Sequence, residues 1–206
     1  MQPTYQTPTA QLELSRYMSK VYMWMAMGVA LTGLVAAYVS TNQEILYTIA
    51  TNKLLFYALI GAEIGLVIWL SAGINKMSAT MATTMFMLYA AINGTTLSLI
   101  SLMYTAESIQ SAFFTSTAGF VGLSAFGFIT KRDLGPVGSF CSMGLFGLVG
   151  YSILSMFFPS MLGSTQGQVC GLVGIVVFAG LTAYDTQKIK QMAPSERDQE
   201  QFHKGA

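Results

Sequence analysis

Apolar residues form six long runs along this chain, and polar residues collect between the runs and at the two ends. The runs cover residues 21–39, 54–74, 79–103, 112–130, 137–158 and 169–188. They approach or exceed the length of about 20 residues that an α-helix needs to cross the hydrocarbon core of a bilayer. The pattern therefore predicts an all-α fold, a polytopic membrane helix bundle with six transmembrane helices in this chain.

Short segments separate the predicted helices, and we predict loops at 40–53, 75–78, 104–111, 131–136 and 159–168. Pro136 would lie in the first turn of the fifth helix, where its missing N–H costs no hydrogen bond. The chain thus divides into a polar N-terminal segment at 1–20, the helix bundle at 21–190 and a polar tail at 191–206.

Lysine and arginine are distributed unevenly between the two sides that these helices define. One side carries Lys53, whereas the other carries Arg16, Lys20, Lys76, Lys131, Arg132, Lys188, Lys190, Arg197 and Lys204. Because cytoplasmic loops of membrane proteins are enriched in lysine and arginine, the N-terminus and the tail are predicted to be cytoplasmic.

The composition agrees with a membrane protein and excludes several functions. Of the 206 residues, 53% are hydrophobic and 9% are charged, against about 25% charged residues in soluble domains. A net charge of +1 does not suggest a nucleic-acid partner. Cys141 and Cys170 lie in apolar runs and His203 stands alone, so the sequence shows no metal-ligand cluster. Because nucleophile and nucleotide-binding motifs are also missing, we expect neither enzymatic activity nor a cofactor.

Most glycines lie inside the predicted helices, where small residues allow membrane helices to approach closely. Gly61 and Gly65 form one face of small residues, and Gly144 and Gly147 form another. Both faces are predicted to pack against neighbouring helices.

Glu63 is the one acidic residue of its predicted helix and lies near the helix centre. An ionised carboxylate is costly at this depth, so Glu63 should face the bundle interior or water, or stay protonated. Two interpretations follow. Glu63 is either a proton-binding or ion-contacting group in a pathway, or a protonated acid hydrogen-bonded to a neighbouring helix.

Asp185 follows the apolar part of the sixth run and is therefore predicted at the cytoplasmic boundary of the hydrocarbon. An acid near the C-terminal end of a helix faces the negative end of the helix dipole, which is unfavourable. Lys188 lies three residues further on, so a local ion pair at the helix end is one interpretation. The other interpretation is a functional, titratable group.

The third run carries a stripe of polar residues. Tyr89, Asn93 and Thr96 follow at spacings of four and three residues and share one helix face. Such a face either joins two helices by hydrogen bonds or lines a wet cavity. A tight calcium site needs about six to eight oxygen ligands, so we expect only a weak, transient calcium contact, at Asp185 and Glu63, which suits permeation.

Four segments of the chain resemble the Bax inhibitor-1 family of transmembrane Bax inhibitor motif proteins, in its bacterial inner-membrane branch. They are EIGLVIWLSAGI (63–74), FMLYAAINGTTLS (86–98), GFITKRDL (127–134) and GLTAYDTQKIK (180–190). The resemblance runs from about residue 17 to residue 190, in the order and spacing of the family. It implies a seven-helix bundle in the bacterial inner membrane and a pH-sensitive calcium leak.

In that family the aspartate at the position of Asp185 is paired with a second aspartate on the last helix, and the pair acts as a proton-sensitive latch. The resemblance therefore implies that Asp185 is a titratable gate. The sequence after Lys190 has no second membrane acid. Two interpretations follow: the seventh helix and its aspartate follow Ala206 in a longer protein, which we favour, or the protein is a short form that gates by another route.

Three functions are compatible with these residues. The leading hypothesis is a calcium leak of the inner membrane, with Asp185 as gate and pH sensor; the groups near its path would be Glu63, Tyr89, Asn93 and Thr96. The second is a non-conducting membrane regulator that binds a protease or a stress-response partner. The third, suggested by Glu63, is a proton-coupled carrier of a small solute. The expected partners are the lipid bilayer, calcium ions and, for the second hypothesis, another membrane protein.

Overall fold

The structure, a computed structural model, describes residues 8–73, 76–158 and 164–192, and the regular elements in these ranges are helical. In chain order they are α1 (Pro8–Thr41), α2 (Gln43–Thr51), α3 (Lys53–Gly73), α4 (Ala79–Leu97), α5 (Ala106–Ile129), α6 (Gly135–Phe157) and α7 (Ser164–Met192), and a short 3-10 helix at Ser98–Leu102 follows α4. All except α2 belong to the six helical segments that are long and apolar enough to cross a membrane. The expected all-α architecture with six transmembrane helices is confirmed.

The short helix α2 lies within residues 40–53, where we predicted a loop, and that prediction is wrong. Asn42 caps its start, because the Asn42 side-chain oxygen accepts a hydrogen bond from the Ile45 N–H at 3.3 Å. Asn52 does the same for α3 by accepting from the Leu55 N–H at 3.1 Å. Leu46 and Ile49 of α2 are buried. This short helix is therefore amphipathic, and its apolar face packs inward.

Several helix ends differ from the predicted boundaries. The first helix begins at Pro8 rather than residue 21, and Leu14 and Met18 within the expected polar segment are buried. Helix α5, which corresponds to the fourth predicted transmembrane helix, begins at Ala106 inside the predicted loop at 104–111. Pro136 does lie in the first turn of α6, as expected. Residues 1–7 and 193–206, which include most of the predicted tail, lie outside the described residues.

The described chain divides into two compact units, and each has its own packing. We call Ser19–Ser111 the Glu63 unit; it contains most of α1, then α2 to α4 and the start of α5. We call the described residues before and after it the Asp185 unit, which contains most of α5, then α6 and α7.

Most of the glycines that we predicted to pack closely do not do so, and close packing occurs at other glycines. A Cβ added to Gly61, Gly65 or Gly147 would meet no atom within 4 Å in the described structure, so the prediction is wrong for these three; Gly144 alone of the four lies close to a neighbouring side chain, that of Val177. A neighbouring backbone, rather than a side chain, lies against two glycines: a Cβ would collide with the Thr32 carbonyl of α1 at Gly94 and with the Ala183 carbonyl of α7 at Gly127. Only glycine allows backbones to approach this closely.

Candidate functional site

Glu63 forms the main polar contact between α3 and α4. The Thr96 hydroxyl of α4 lies 2.6 Å from the Glu63 Oε1 atom of α3, and both side chains are half-buried. The contact matches the interpretation of Glu63 as an acid hydrogen-bonded to a neighbouring helix. It does not exclude the other interpretation, because a pathway residue also needs a polar neighbour in a membrane.

Thr96 has a second possible acceptor, the Ile92 carbonyl oxygen at 3.2 Å. A hydroxyl has a single proton, so Thr96 donates either to the Glu63 carboxylate or to Ile92. When it donates to Ile92, its oxygen can accept the proton of a protonated Glu63. The geometry therefore accommodates both protonation states of Glu63 without moving either helix.

Tyr89 and Asn93 lie on the same face of α4 as Thr96 and are also half-buried. Neither the Tyr89 hydroxyl nor the Asn93 carboxamide makes a hydrogen bond to any residue that the structure describes. In a membrane a polar side chain without a protein partner needs water, an ion or a solute. The stripe thus contributes one hydrogen bond between helices, through Thr96, and leaves two polar groups open to such a ligand.

Another contact joins α1 to α4 in the same unit. Thr32 of α1 donates its hydroxyl proton to the Ala90 carbonyl oxygen of α4 at 2.9 Å. Ala90 is buried, and Gly94, one turn further along α4, lies directly against α1. This contact was not predicted from the sequence, since a threonine inside an apolar run usually bonds within its own helix.

Asp185 lies on the exposed side of α7, seven residues before the helix ends at Met192. The described residues contain no ion pair between Asp185 and Lys188. The Lys188 ammonium group instead lies over the Tyr184 ring, 5.9 Å from its centre. The local ion pair that we considered is therefore not formed, and the Asp185 side chain is exposed on the surface of the described residues.

Two other side chains of α7 contact the end of α5 and the segment at residues 130–134 that links α5 to α6. Gln187 is 6% exposed. Its Oε1 atom accepts from the Leu134 N–H at 2.9 Å, and its Nε2 atom donates to the Arg132 carbonyl at 2.8 Å. The Lys190 ammonium group donates to the Phe128 carbonyl at 2.7 Å and lies over the Phe128 ring. We did not single out either residue from the sequence, because both belong to the polar end of the last run.

No group of three or more metal-ligating His, Cys, Asp or Glu side chains occurs in residues 8–73, 76–158 and 164–192. Glu63 and Asp185 lie in different units. The weak calcium contact that involves both residues stays a prediction, as do the roles of Tyr89, Asn93 and Thr96.

The chain matches known proteins over most of its length. Residues 14–206 match the profile of a family described as "Inhibitor of apoptosis-promoting Bax1". Over 179 residues the chain is 42% identical to the inner membrane protein YbhL of Escherichia coli strain K12, covering 87% of this chain and 75% of that protein.

Two further relatives are also bacterial proteins. An uncharacterized protein of Borreliella burgdorferi is 38% identical over 178 residues, which cover 86% of this chain and 75% of the relative. An uncharacterized protein of Deinococcus radiodurans is 33% identical over 194 residues, which cover 94% of this chain and 81% of the relative. No solved structure matches the chain.

Proposed function

Because the chain belongs to the Bax inhibitor-1 family and is a multi-pass protein of the inner membrane, we propose that it lets calcium leak across that membrane under control of the protonation of Asp185. The observation that carries this proposal is the Glu63–Thr96 contact. It puts a carboxylate among oxygen-bearing side chains in the middle of an apolar helix pair, a position that sequences rarely tolerate without a function.

The path that we propose follows the polar face of α4. Calcium prefers oxygen ligands, and this face offers the Glu63 carboxylate, the Thr96 hydroxyl and the amide oxygen of Asn93. Too few ligands are present to hold the ion tightly. Weak binding is what conduction requires, because a permeating ion must be able to leave.

Asp185 is suited to the gate because its carboxylate is exposed and makes no ion pair with Lys188. Protons can reach such a group directly. The helix around it is packed tightly, since Ala183 and Thr186 on either side of Asp185 are buried. A change of charge on Asp185 would therefore act on α7 as a whole.

The experiment is calcium entry into dye-loaded proteoliposomes, followed from mildly acidic to mildly alkaline pH. Asp185→Asn should remove most of the pH dependence, and Glu63→Gln should lower the flux at every pH. Glu107→Gln is the matched control, because Glu107 is exposed in the first turn of α5. An Asp185→Asn variant with the pH profile of the parent would contradict the gate.

A second candidate, a non-conducting regulator, is favoured by the description of the family profile, which names the inhibition of another protein. Such a regulator would bind a membrane partner, and the purified protein would carry no calcium. Crosslinking in native membranes that recovers one stoichiometric partner, together with silent proteoliposomes of folded protein, would support this candidate over the leak.

A further inference from the structure

Gln187 and Lys190, which bind the α5–α6 link and the end of α5, lie on the side of α7 that faces away from Asp185. Ala183, Thr186 and Gln187 are 5%, 3% and 6% exposed, whereas Asp185 and Lys188 are exposed. Gln187 is two residues from Asp185 and therefore about 200° around the helix axis. The buried face of α7 thus determines the direction in which Asp185 points.

The Gln187 side chain connects this buried face to two backbone groups of the link, the Leu134 N–H and the Arg132 carbonyl, by hydrogen bonds. Leu134 is the N-cap residue of α6 and makes no side-chain capping bond of its own. The Gln187 carboxamide supplies an acceptor to its N–H and a donor to the Arg132 carbonyl at the same time. A carboxamide can do both because it carries a donor and an acceptor on one planar group.

Lys190 adds a second connection one turn further along. Its ammonium group donates to the Phe128 carbonyl in the last turn of α5, where helix carbonyls lack intrahelical partners and attract cations. Two positions before Asp185, the backbone of α7 at Ala183 lies directly against Gly127 of α5. A rotation or shift of α7 that moves Asp185 has to break both polar contacts.

We propose that Gln187, supported by Lys190, is a positioning residue for Asp185, because it fastens the end of α7 to the α5–α6 link and so sets how Asp185 responds to protons. The proposal rests on the proposed function only where flux is concerned; the fastening itself is a separate claim. The other charged groups of the described Asp185 unit are Glu13, Arg16, Lys131, Arg132, Asp133, Lys188 and Lys190. The flux variants leave all of them unchanged, so their titration is common to parent and variants.

The fastening is tested by the distance between two spin labels, at Lys131→Cys on the link and Lys188→Cys on α7. Both positions are exposed, and Cys141→Ala with Cys170→Ala removes the native thiols. Gln187→Leu should broaden and lengthen the distance distribution. Gln168→Leu, the same substitution at an exposed position of the same helix, should leave it unchanged. An unchanged distribution in folded Gln187→Leu overturns the proposal, whether or not the protein conducts.

The positioning role is tested by flux. Gln187→Leu should shift the midpoint of the pH profile by roughly half to one and a half pH units, the size of coupling expected of such residues. In an Asp185→Asn background it should cause no further shift. If Gln187→Leu instead scales the flux equally at every pH in both backgrounds, the residue has only a structural role and the positioning claim is wrong.

Gln187→Met provides a second variant in case Gln187→Leu does not fold. It keeps the unbranched length of glutamine and adds no titratable group, but it loses both hydrogen bonds, so the changed label distances and the shifted pH profile should both be present. If the parent carries no calcium at any pH, the leak proposal fails, and the label distances in the same proteins still decide the fastening.

Discussion

The two membrane acids lie in surroundings that differ in how the chain is packed. Around Asp185, α7 has buried residues on both sides and touches the backbone of α5 at Gly127. Around Glu63, α3 has no buried residue, and the Thr96 hydroxyl makes the one hydrogen bond to the Glu63 carboxylate among the described residues. One acid sits on a tightly held helix, and the other on a loosely held one.

Packing of the surrounding helix determines how a carboxylate can respond to a change of charge. On a tightly packed helix, a change of charge cannot be absorbed by single side chains, because packed interfaces switch between discrete arrangements. On a loosely packed helix, the acid can change its charge while Thr96 turns its hydroxyl proton from the Glu63 carboxylate to the Ile92 carbonyl, so the response stays local. The first behaviour suits a gate and the second suits contact with a passing ion.

The largest effect is expected where the backbones touch. Gly127→Ala should destabilise the protein by about 1–3 kcal/mol, because the new Cβ forces α5 and α7 apart. The free energy of unfolding can be measured in mixed micelles with a denaturing detergent. Gly122→Ala on the same helix, where a Cβ meets nothing within 4 Å, should cost nothing. Equal effects of the two substitutions would contradict the tight packing around Asp185.

The next effect concerns the contact of Glu63. Thr96→Val keeps the shape of the side chain and removes its hydroxyl, so the contact between α3 and α4 should weaken by about 1–2 kcal/mol. Thr84→Val is the control, since Thr84 is exposed and bonds only to Thr80 within α4. The destabilisation by Thr96→Val should disappear in a Glu63→Leu background. A loss of the same size in both backgrounds would show that Thr96 does not act through Glu63.

A smaller effect is expected at the contact between α1 and α4. Thr32→Val removes the hydrogen bond to Ala90, and such bonds between membrane helices contribute about 0.6 kcal/mol on average. Thr41→Val removes a hydroxyl that bonds to Tyr38 within α1 and should change the free energy of unfolding less. A reversed order of the two variants would argue against this contact as a source of stability in the Glu63 unit.

The last prediction concerns α3, where no loss of stability is expected. Gly61→Ala should change the free energy of unfolding by no more than about 1 kcal/mol, and in the stabilising direction, because the site is open and alanine favours a helix over glycine. The same measurement as for Gly127→Ala applies. Destabilisation comparable with that of Gly127→Ala would mean that α3 is packed as tightly as α7, and the contrast between the two acids would be lost.

Much of the fold could be predicted because the bilayer imposes a simple rule on the sequence. Six runs of apolar residues correspond to the six helical segments that can cross a membrane. The short helix α2 was missed because its nine residues are too few for that rule, although Asn42 is a strong helix-start signal. The first helix was started too late because its polar beginning, from Pro8, does not look like a membrane segment.

The candidate site was predicted less completely. The sequence indicated Glu63 and the polar stripe of α4 as separate features, and the structure joins them through Thr96. Gln187 and Lys190 carry no signal of their own, because a glutamine and a lysine at a helix end are ordinary surface residues. The resemblance of segments 127–134 and 180–190 to one family was the available hint, and the two segments are in contact.

The order of amino acids was enough to predict a membrane helix bundle and to mark Glu63 and Asp185 as exceptional acids, because both follow from the cost of placing polar groups in hydrocarbon. The surroundings of these acids became known only from the folded chain: Thr96 lies beside Glu63, and a buried Gln187 lies on the far side of the helix from Asp185. Hydrogen-bond partners on other helices depend on how each helix is rotated and placed. Hydrophobic periodicity along one helix does not specify those two quantities.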